Sequence, residues 1–323
     1  MLPVLGIDIA KAKCDLALQC ADGKMRHKTV RNTPDGYADL RAWLGRHTPG
    51  PVHACLEATG PYGEAVALAL AEAGHTVSIV NPLAISAYAR SELRRAKTDR
   101  TDADVILRYC AAQHPPAWIA PAPEIRTLQA LVRRVVAVDQ MRVQELNRLE
   151  AYAVQDVVRQ SIADVLTQLT AELAHLRTLM HDHVNQHPGL RTQRDLLTSI
   201  PGIGDTTATT LLAELFGPMP CQSVKQTVAS AGLAPRVTQS GSSVRGRGSL
   251  SPIGSRRLRK ALYFPALTAI RYNPVIAAMA QRLAARGKCK MVIITAAMRR
   301  LVHLAFGVLK SNRPFDPSIA LSD

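Results

Sequence analysis

Short apolar runs alternate with segments of helical periodicity over the first 115 residues, which is the pattern of an α/β domain. Five segments predict strands, and their sequences are PVLGIDIA, KCDLALQC, KMRHKTV, VHACLE and HTVSIVN. The turn-forming ADG joins the second and third strands as a hairpin, and Pro82 ends the fifth. Three segments predict helices, namely PDGYADLRAWLGRH, GEAVALALAEAGH and TDADVILRYCAAQ, the last with Thr101 as its N-cap.

The order of these elements is three strands, helix, strand, helix, strand, helix, which is that of an RNase H-like α/β domain. In that order Asp8 lies on the first, central strand and Glu57 at the end of the fourth strand. Asp102 falls in the first turn of the last helix, with Asp99 just before the helix. We therefore expect the four carboxylates to converge on one end of the sheet.

Carboxylates gathered from distant segments can hold two divalent cations about 3.5–4 Å apart, the arrangement that activates a nucleophile at a phosphodiester. Ligands that are all oxygen favour hard cations, so Mg²⁺ is the expected metal and Mn²⁺ the alternative. The sequence thus predicts catalysis and metal binding at Asp8, Glu57, Asp99 and Asp102.

Each carboxylate also has a purely structural interpretation. Asp102 could cap a helix, Asp99 could pair with Arg94 or Arg95, and Glu57 could end a strand in solvent. A half-buried Asp8 is harder to explain in this way, because a buried unpaired carboxylate is costly. A fifth acidic residue, Asp104, stands two positions after Asp102 on the helix and is expected to face elsewhere.

The middle of the chain, near residues 124–187, changes to long helical periodicity. Leucines and a methionine follow a 3-4-3-4 spacing, which is a short heptad seam, at Leu166, Leu169, Leu173, Leu176 and Met180. This segment predicts either a helical hairpin or coiled coil that links two domains and joins protomers, or the core of an intramolecular bundle.

Positive charge is concentrated in the last third of the chain. The net charge is +15, and residues 201–323 carry 17 Lys and Arg against 4 Asp and Glu, whereas residues 1–120 carry 14 against 12. Because each neutralised phosphate releases counterions, this asymmetry predicts a nucleic-acid-binding region; a merely solvated surface is the alternative. The candidate nucleic-acid-binding residues are Arg94, Arg95, Lys97, Gly202, Gly204, Arg245, Arg247, Arg256, Arg257, Arg259 and Lys260.

Two motifs within this basic region suggest how it acts. SIPGIG, with Gly202 and Gly204, separates two helical segments and would place backbone N–H groups against a phosphate. Further on, the segment QSGSSVRGRG combines serines with arginines, a combination suited to nucleophilic attack on a phosphate. Spacing alone does not choose among Ser240, Ser242 and Ser243.

Length and composition limit the remaining possibilities. With 323 residues and 47% apolar content, the chain can bury two or more cores. Six cysteines without a CxxC pair indicate neither a zinc site nor a disulfide framework. No apolar run reaches the roughly 20 residues that span a bilayer and no signal peptide opens the chain, so we expect a cytoplasmic protein without a membrane partner.

The combination of GIDIAK, LEATGPYGE, KTDRTDA, SIPGIG and AGLAPRVTQSGSSVRG, in this order, closely resembles the one-ten family of insertion-sequence transposases, also described as bridge-RNA-guided serine recombinases. The resemblance covers nearly the whole chain. It implies an N-terminal RuvC-like domain over residues 1–120, a coiled-coil linker over residues 121–192, and a mostly helical C-terminal transposase domain over residues 193–323 with a helix-hairpin-helix-like motif.

By motif position, the family's four metal-binding carboxylates correspond to Asp8, Glu57, Asp99 and Asp102, and its nucleophilic serine corresponds to Ser240. The resemblance implies a prokaryotic recombinase, nucleoid-associated when it acts, that joins donor and target double-stranded DNA through a covalent phosphoserine. It also implies guidance by an element-encoded noncoding RNA and a homo-oligomer, either dimer or tetramer.

Two other classes of protein compete with this interpretation. The strand order and GIDIAK also suit actin-like or sugar-kinase phosphotransferases, but no second glycine-rich phosphate loop follows. A RuvC-like nuclease without covalent chemistry, or a protein that only binds nucleic acid, is the second alternative.

Overall fold

The structure, a computed structural model, describes residues 2–58, 60–92, 99–152, 155–217, 223–236, 239–240, 244–245, 249–251 and 253–318. For residues 61, 99, 100, 239, 240, 244, 245 and 249 it describes the backbone alone. The chain divides into two compact units, Met1–Ala120 and Pro121–Asp323. A functional division at residues 121 and 193 stays a prediction.

The first unit combines a five-stranded sheet with helices on both faces. Its strands are β1 (Val4–Ile9), β2 (Lys13–Gln19), β3 (Met25–Arg31), β4 (His53–Glu57) and β5 (Thr76–Val80). Its helices are α1 (Pro34–His47), α2 (Glu64–Glu72), α3 (Pro82–Ser91) and α4 (Asp99–Gln113), with a 3₁₀ turn at Pro61–Gly63. The strands and helices expected from the sequence are all present.

Two helical features differ from the sequence expectation. Helix α3 was not expected: Pro82 ends the fifth strand, but it also occupies the first turn of a helix that Asn81 caps by accepting a hydrogen bond from the Leu83 N–H. Helix α4 begins at Asp99, so Asp99 is part of the helix rather than just before it, and Thr101 lies inside the first turn and is not the N-cap.

The order of strands in the sheet is β3-β2-β1-β4-β5. Strand β1 is antiparallel to β2 and parallel to β4, while β2 pairs antiparallel with β3 and β4 pairs parallel with β5. This mixed sheet, with its longest strands forming a meander and β1 at the centre, is the RNase H-like (RuvC-like) fold. The fold class expected from the sequence is confirmed.

Opposite faces of the sheet are covered by different helices. On one face, α1 and α2 bury their apolar side chains against Leu5, Ile7, Leu16 and Leu18 of the first two strands. On the other face, α4 packs against small side chains of β1, β2 and β4. The small side chains on this second face allow α4 to pack closely against the sheet.

The second unit is mostly helical. Its helices are α5 (Pro123–Ala151), α6 (Asp156–Gln186), α7 (Pro188–Thr198), α8 (Asp205–Leu211), α9 (Val224–Ser230), α10 (Arg256–Tyr272), α11 (Pro274–Ala285) and α12 (Lys290–Ser311). A π-helical turn at Leu212–Phe216 follows α8. Two short antiparallel pairs interrupt the helices, formed by β6 (Pro235–Arg236) with β9 (Ser249–Leu250) and by β7 (Gln239–Ser240) with β8 (Val244–Arg245).

Helices α5 and α6 form the long hairpin that the heptad spacing predicts. Leu173 and Leu176 of the seam are buried with Val138 of α5, while Met180 joins the main core of the unit. The seam therefore packs within one chain, at least along these residues, and both the hairpin and the bundle-core interpretation hold for different parts of it.

Helix α12 is long and apolar enough to cross a membrane by length and composition alone, with a mean hydropathy of 1.7 over its most apolar window. However, Leu301, Val302 and Ala305 lie in the main core of the second unit, and Arg299 and Arg300 interrupt the apolar run. We therefore interpret α12 as the central core helix of this unit.

Candidate functional site

Strand register places two of the predicted carboxylates on the same face and edge of the sheet. Gly6 of β1 pairs with Cys55 of β4, and Ile7 pairs with Leu56. Because neighbouring parallel strands keep paired residues on a common face, Asp8 and Glu57 follow side by side at the carboxyl ends of β1 and β4. Both side chains are half-buried.

Helix α4 brings Asp102 toward this edge. A Cβ built on Gly6 would lie 2.3 Å from the carbonyl oxygen of Ala103 and 2.5 Å from the nitrogen of Leu107, so only glycine allows this approach. Asp102 precedes Ala103 in the helix and is half-buried. It therefore lies on the same side of the sheet as Asp8, which stands two residues after Gly6.

Asp99 joins the same helical turn as Asp102. Because α4 begins at Asp99, the two residues are three positions apart within its first turn, and residues at this spacing share a helix face. The side chain of Asp99 lies outside the described residues. The backbone is thus consistent with the grouping expected from the sequence, and the position of the fourth carboxyl group stays a prediction.

Asp104 faces another partner. Its Oδ1 atom lies 2.7 Å from Nε2 of His27 on β3, and its carbonyl oxygen accepts a hydrogen bond from Nε of Arg108. The side chain of Asp104 therefore ties α4 to β3, as expected for a residue that does not belong to the candidate metal-binding set.

A further carboxylate at this edge was missed by sequence reasoning. Asp15 of β2 pairs directly with Asp8 of β1, so both side chains project from one face. Asp15 accepts a hydrogen bond from the Thr29 hydroxyl at 2.6 Å and forms a 2.9 Å ion pair with Nζ of Lys13. The segment CDLAL and the ADG turn predict a strand and a hairpin. The register of β2 with β1, which places Asp15 opposite Asp8, can be assigned only once the turn geometry is known.

The negative charge of this edge also affects a neighbouring thiol. Burial raises the pKa of Cys14 to about 11, and the carboxylates of Asp15 and Asp8 contribute to the same direction. The two carboxylates therefore affect the pKa of a thiol whose side chain lies on the opposite face of the sheet.

The donor chemistry of this edge suits a hard divalent cation, since carboxylate oxygens are the ligands that such ions prefer. Asp8, Glu57, Asp99 and Asp102 are the residues that could hold it. Among the side chains that the structure describes, which exclude that of Asp99, no group of three or more acidic, histidine or cysteine residues is close enough to bind a metal ion. The residues fit the ion by the type of their ligand atoms, and the metal site and its coordination stay a prediction.

The candidate nucleophile lies on a short β-ribbon formed by β7 and β8. Ser240 is the last residue of β7, and its backbone pairs with Val244 of β8. The side chain of Ser240, and both Ser242 and Ser243, lie outside the described residues. The ribbon fixes where the backbone of Ser240 lies relative to β8, and the choice of nucleophile stays a prediction.

Two glycines, Gly232 and Gly254, flank the pair of β6 and β9 along the chain and lie against each other. A Cβ on Gly254 would lie 2.4 Å from Cα of Gly232, and both residues have positive φ. The Ser255 N–H donates to the Ser230 carbonyl oxygen at 3.0 Å, and Nη1 of Arg259 donates to the Gly232 carbonyl oxygen at 3.2 Å. The strands that lead to Ser240 are thus anchored to α9 and α10.

The Pro-Gly-Ile-Gly turn separates α7 from α8, as expected. Gly202 has φ of +105°, and a Cβ there would lie 2.6 Å from Cβ of Ala269 on α10. The Asn273 side chain also donates to the Pro201 carbonyl oxygen at 3.3 Å. Packing against α10 therefore accounts for Gly202, whereas no atom of the described residues lies within 4 Å of a Cβ on Gly204.

The predicted basic residues divide by their contacts. Nη2 of Arg257 pairs with Oε2 of Glu214 at 2.8 Å, and Nη1 of Arg259 donates a hydrogen bond to the Gly232 carbonyl oxygen. Arg256 and Lys260 are exposed on α10. Four further candidates lie outside the described residues, namely Arg94, Arg95, Lys97 and Arg247, and the side chain of a fifth, Arg245, is not described.

An RNase H-like sheet that carries carboxylates at one edge, followed by a basic helical unit, defines a class of enzymes that act on nucleic acid. Comparison with known proteins narrows this class. A family model described as "Transposase" matches residues 5–156, and the model of the "Transposase IS116/IS110/IS902 family" matches residues 194–281.

Individual relatives agree with these matches. The chain is 36% identical to the pilin gene-inverting protein of Moraxella bovis and 35% identical to that of Moraxella lacunata, in each case over 98% of both chains. A solved structure of Thermus thermophilus RuvC is similar over 36% of this chain and 99% of that chain, with 18% identity and a TM-score of 0.28. The chain belongs to the IS116/IS110/IS902 family of transposases. It is a DNA recombinase of the transposase type.

Proposed function

We propose that this transposase joins donor and target double-stranded DNA through a covalent phosphoserine formed by Ser240, and that a structured RNA encoded by its own element selects both DNAs. Its partners are the two DNAs, the noncoding RNA and further copies of the chain in a dimer or tetramer. It acts in the cytoplasm, at the nucleoid.

The observation that supports the proposal is the position of Ser240 at the end of β7, where its backbone pairs with Val244 of β8. Attack by the serine oxygen forms an O–P bond, breaks the bond between that phosphorus and one deoxyribose oxygen, and transfers the serine proton away as the leaving oxygen takes one up. A hydroxyl of the other DNA then attacks the phosphoserine and releases Ser240. Because one phosphodiester replaces another, the exchange needs no external energy source.

The carboxylates assist this exchange from the edge of the sheet. A divalent cation, Mg²⁺ in our proposal, would be held by Asp8, Glu57, Asp99 and Asp102 and would supply positive charge at the reacting phosphate. The chain's contribution is preorganisation, since strand pairing fixes Asp8 beside Glu57 and the Gly6 contact fixes α4 against β1. Asp15, held by Thr29 and Lys13, adds negative charge next to Asp8.

Composition constrains how the RNA is recognised. Aromatic residues are only 4% of the chain, with two Trp and four Phe, so a base-stacking platform is not supported. We propose instead that recognition uses RNA shape, phosphates and 2′-hydroxyls, which makes binding steeply dependent on salt.

A denaturing gel tests the nucleophile. Wild-type protein incubated with its RNA and labelled DNA is expected to give a protein–DNA adduct that survives denaturant, and Ser240→Ala is expected to give none. Ser242→Ala and Ser243→Ala are the matched controls, and both should retain the adduct. If either control abolishes the adduct while Ser240→Ala keeps it, the assignment is wrong. If wild-type protein cleaves DNA without any adduct, the non-covalent nuclease describes it better.

Ribonuclease treatment tests the guide. The purified complex is expected to lose recombination after ribonuclease and to regain it with the element's own noncoding RNA. A scrambled RNA of equal length is the control and should restore nothing. Recombination that persists after ribonuclease, or that returns equally with the scrambled RNA, contradicts RNA guidance.

A further inference from the structure

Helix α10 exposes a continuous stripe of basic and apolar side chains. Its residues follow spacings of 4, 4, 3 and 4, which keep them on one helix face. We call this set the α10 stripe, and it consists of Arg256, Lys260, Phe264, Leu267 and Arg271. The opposite face of the helix is buried in the core through Leu258, Leu262, Ala266 and Ala269.

The centre of the stripe is unusually apolar for a solvent-facing helix. The Phe264 side chain is 73% exposed and Leu267 is 39% exposed. Their neighbour Tyr272, at the end of the helix, is 62% exposed and lies under the guanidinium of Arg271 at 5.4 Å. Large apolar side chains grouped on a surface and bordered by charge typically mark an interaction site.

The charge around the stripe selects the kind of partner. No Asp or Glu occurs between Glu214 and Asp316, and all 17 Lys and Arg of residues 201–323 fall in that interval. A polyanion is therefore favoured over a protein surface of mixed charge.

Intramolecular contacts distinguish the basic residues of α10 from one another. Arg257 pairs with Glu214, and Arg259 binds the Gly232 carbonyl oxygen. For Arg256 and Lys260, by contrast, the described part of the chain provides no ion pair. The cations of the stripe are thus placed to meet a ligand, whereas Arg257 and Arg259 hold the fold.

We propose that the α10 stripe is a surface for duplex DNA, bound with its basic ends on phosphates and with Phe264 and Leu267 against base edges in the major groove. The proposal rests on the proposed function, because it assigns a surface to the DNA that the recombinase joins. Over its 15 residue steps the stripe is about 22 Å long, and a helix roughly 10–12 Å across fits a groove about 12 Å wide.

The apolar centre favours DNA over RNA. In the major groove of DNA the thymine methyl group offers an apolar contact for a side chain such as Phe. The major groove of duplex RNA is too deep and narrow for side chains to read, and phosphate contacts alone would not use Phe264. A helix that is basic at its ends and apolar at its centre therefore matches duplex DNA.

Binding of a fluorescent DNA duplex by the full chain, measured by anisotropy at several salt concentrations, tests the proposal. Phe264→Ala is expected to weaken binding about tenfold with an unchanged dependence on salt. Arg256→Ala and Lys260→Ala are each expected to weaken binding and to reduce the slope of log affinity against log salt by about one. The controls are Leu179→Ala, a leucine of similar exposure on α6, and Arg282→Ala, an exposed arginine on α11, and both should bind DNA as wild type does.

Three results would overturn the proposal. The first is that Phe264→Ala binds duplex DNA as tightly as wild type. The second is that the stripe variants lose affinity only for structured RNA. The third is that the variants change oligomeric state, as measured by sedimentation, without a change in DNA affinity. Adduct formation by the same variants at saturating DNA separates this inference from the proposed function. If the stripe variants bind DNA normally and still form the adduct, the surface assignment fails while the serine chemistry stands.

Discussion

Single carboxylates at the edge of the sheet are expected to act through their charge. Asp8 and Glu57 end adjacent parallel strands, and Asp102 lies on the helix that crosses Gly6. None of these side chains belongs to the apolar core. Replacing one by its amide should therefore change cation binding much more than folding.

The first prediction follows from this. Asp8→Asn, Glu57→Gln and Asp102→Asn are each expected to abolish recombination, because an amide cannot offset the charge of a divalent cation. Wild-type protein should gain thermal stability on addition of Mg²⁺, since a ligand that binds only the native state stabilises it, and the three variants should gain little.

Asp104→Asn is the matched control, because Asp104 contacts His27 rather than the edge. It should recombine DNA and respond to Mg²⁺ as wild type does. Full activity of wild-type protein in the presence of a chelator, or a wild-type rate of recombination by Asp102→Asn, would contradict the metal site.

Cysteine reactivity tests the electrostatics of the same region. Burial and the charges of Asp15 and Asp8 raise the pKa of Cys14 to about 11, so at pH 8 only about one thiol in a thousand is a thiolate. Cys289 is exposed. Iodoacetamide at pH 8 should label Cys289 well before Cys14, as read by peptide mass spectrometry, because the Cys14 thiol is both buried and protonated. Equal labelling of the two at pH 8 would contradict the assigned environment.

At the scale of single residues, the sequence predicts those candidate site residues that the pattern of their own strand or helix identifies. Asp8 and Glu57 lie near the carboxyl ends of buried strands, and Asp102 lies in the first turn of a helix, so each can be selected from its own segment. Asp15 cannot be selected in this way, because its position opposite Asp8 depends on the register of β1 with β2. Ser240 stands apart from Ser242 and Ser243 only through the family resemblance.

At the scale of elements, the contact between β1 and α4 determines how closely α4 packs against the sheet near the carboxylate edge. Gly6 makes this contact possible, since any Cβ there would meet the backbone at Ala103 and Leu107. A substitution at Gly6 should therefore move a whole helix.

Gly6→Ala is expected to destabilise the protein by about 1–3 kcal/mol through overpacking and to reduce recombination by displacing Asp102. Gly45→Ala on α1 is the control, because nothing lies within 4 Å of its Cβ, and it should be neutral or stabilise the protein by about 0.4–1 kcal/mol. Denaturant unfolding measures both. A Gly6 variant as stable and active as wild type would show that the helix does not depend on this contact.

Elements with strong periodicity could be predicted, and those without it could not. Most strands of the sheet are marked by short apolar runs, and the hairpin of α5 and α6 follows a period of three to four residues. Helix α3 was missed because Pro82 signals the end of a strand as well as the first turn of a helix. The strand pairs β6–β9 and β7–β8 could not be predicted, because two-residue strands are too short to show alternation.

For the whole molecule, chemistry and charge are divided between the two units. The first unit carries the carboxylate edge and is almost neutral, whereas residues 201–323 carry 17 basic against 4 acidic residues together with Ser240. DNA affinity should accordingly fall steeply with salt, and most of this dependence should arise in the second unit. The charge distribution was readable from the sequence, because it needs no knowledge of the fold.

The central claim is that Ser240 bonds covalently to DNA, and the most direct measurement is to locate the bond. The complex of protein, RNA and DNA is trapped in denaturant, the DNA is digested to a nucleotide remnant, and the tryptic peptides are sequenced by mass spectrometry. We expect the remnant on Ser240. A remnant on Ser242, Ser243 or any other residue, or trapped complexes without a remnant, would contradict the account.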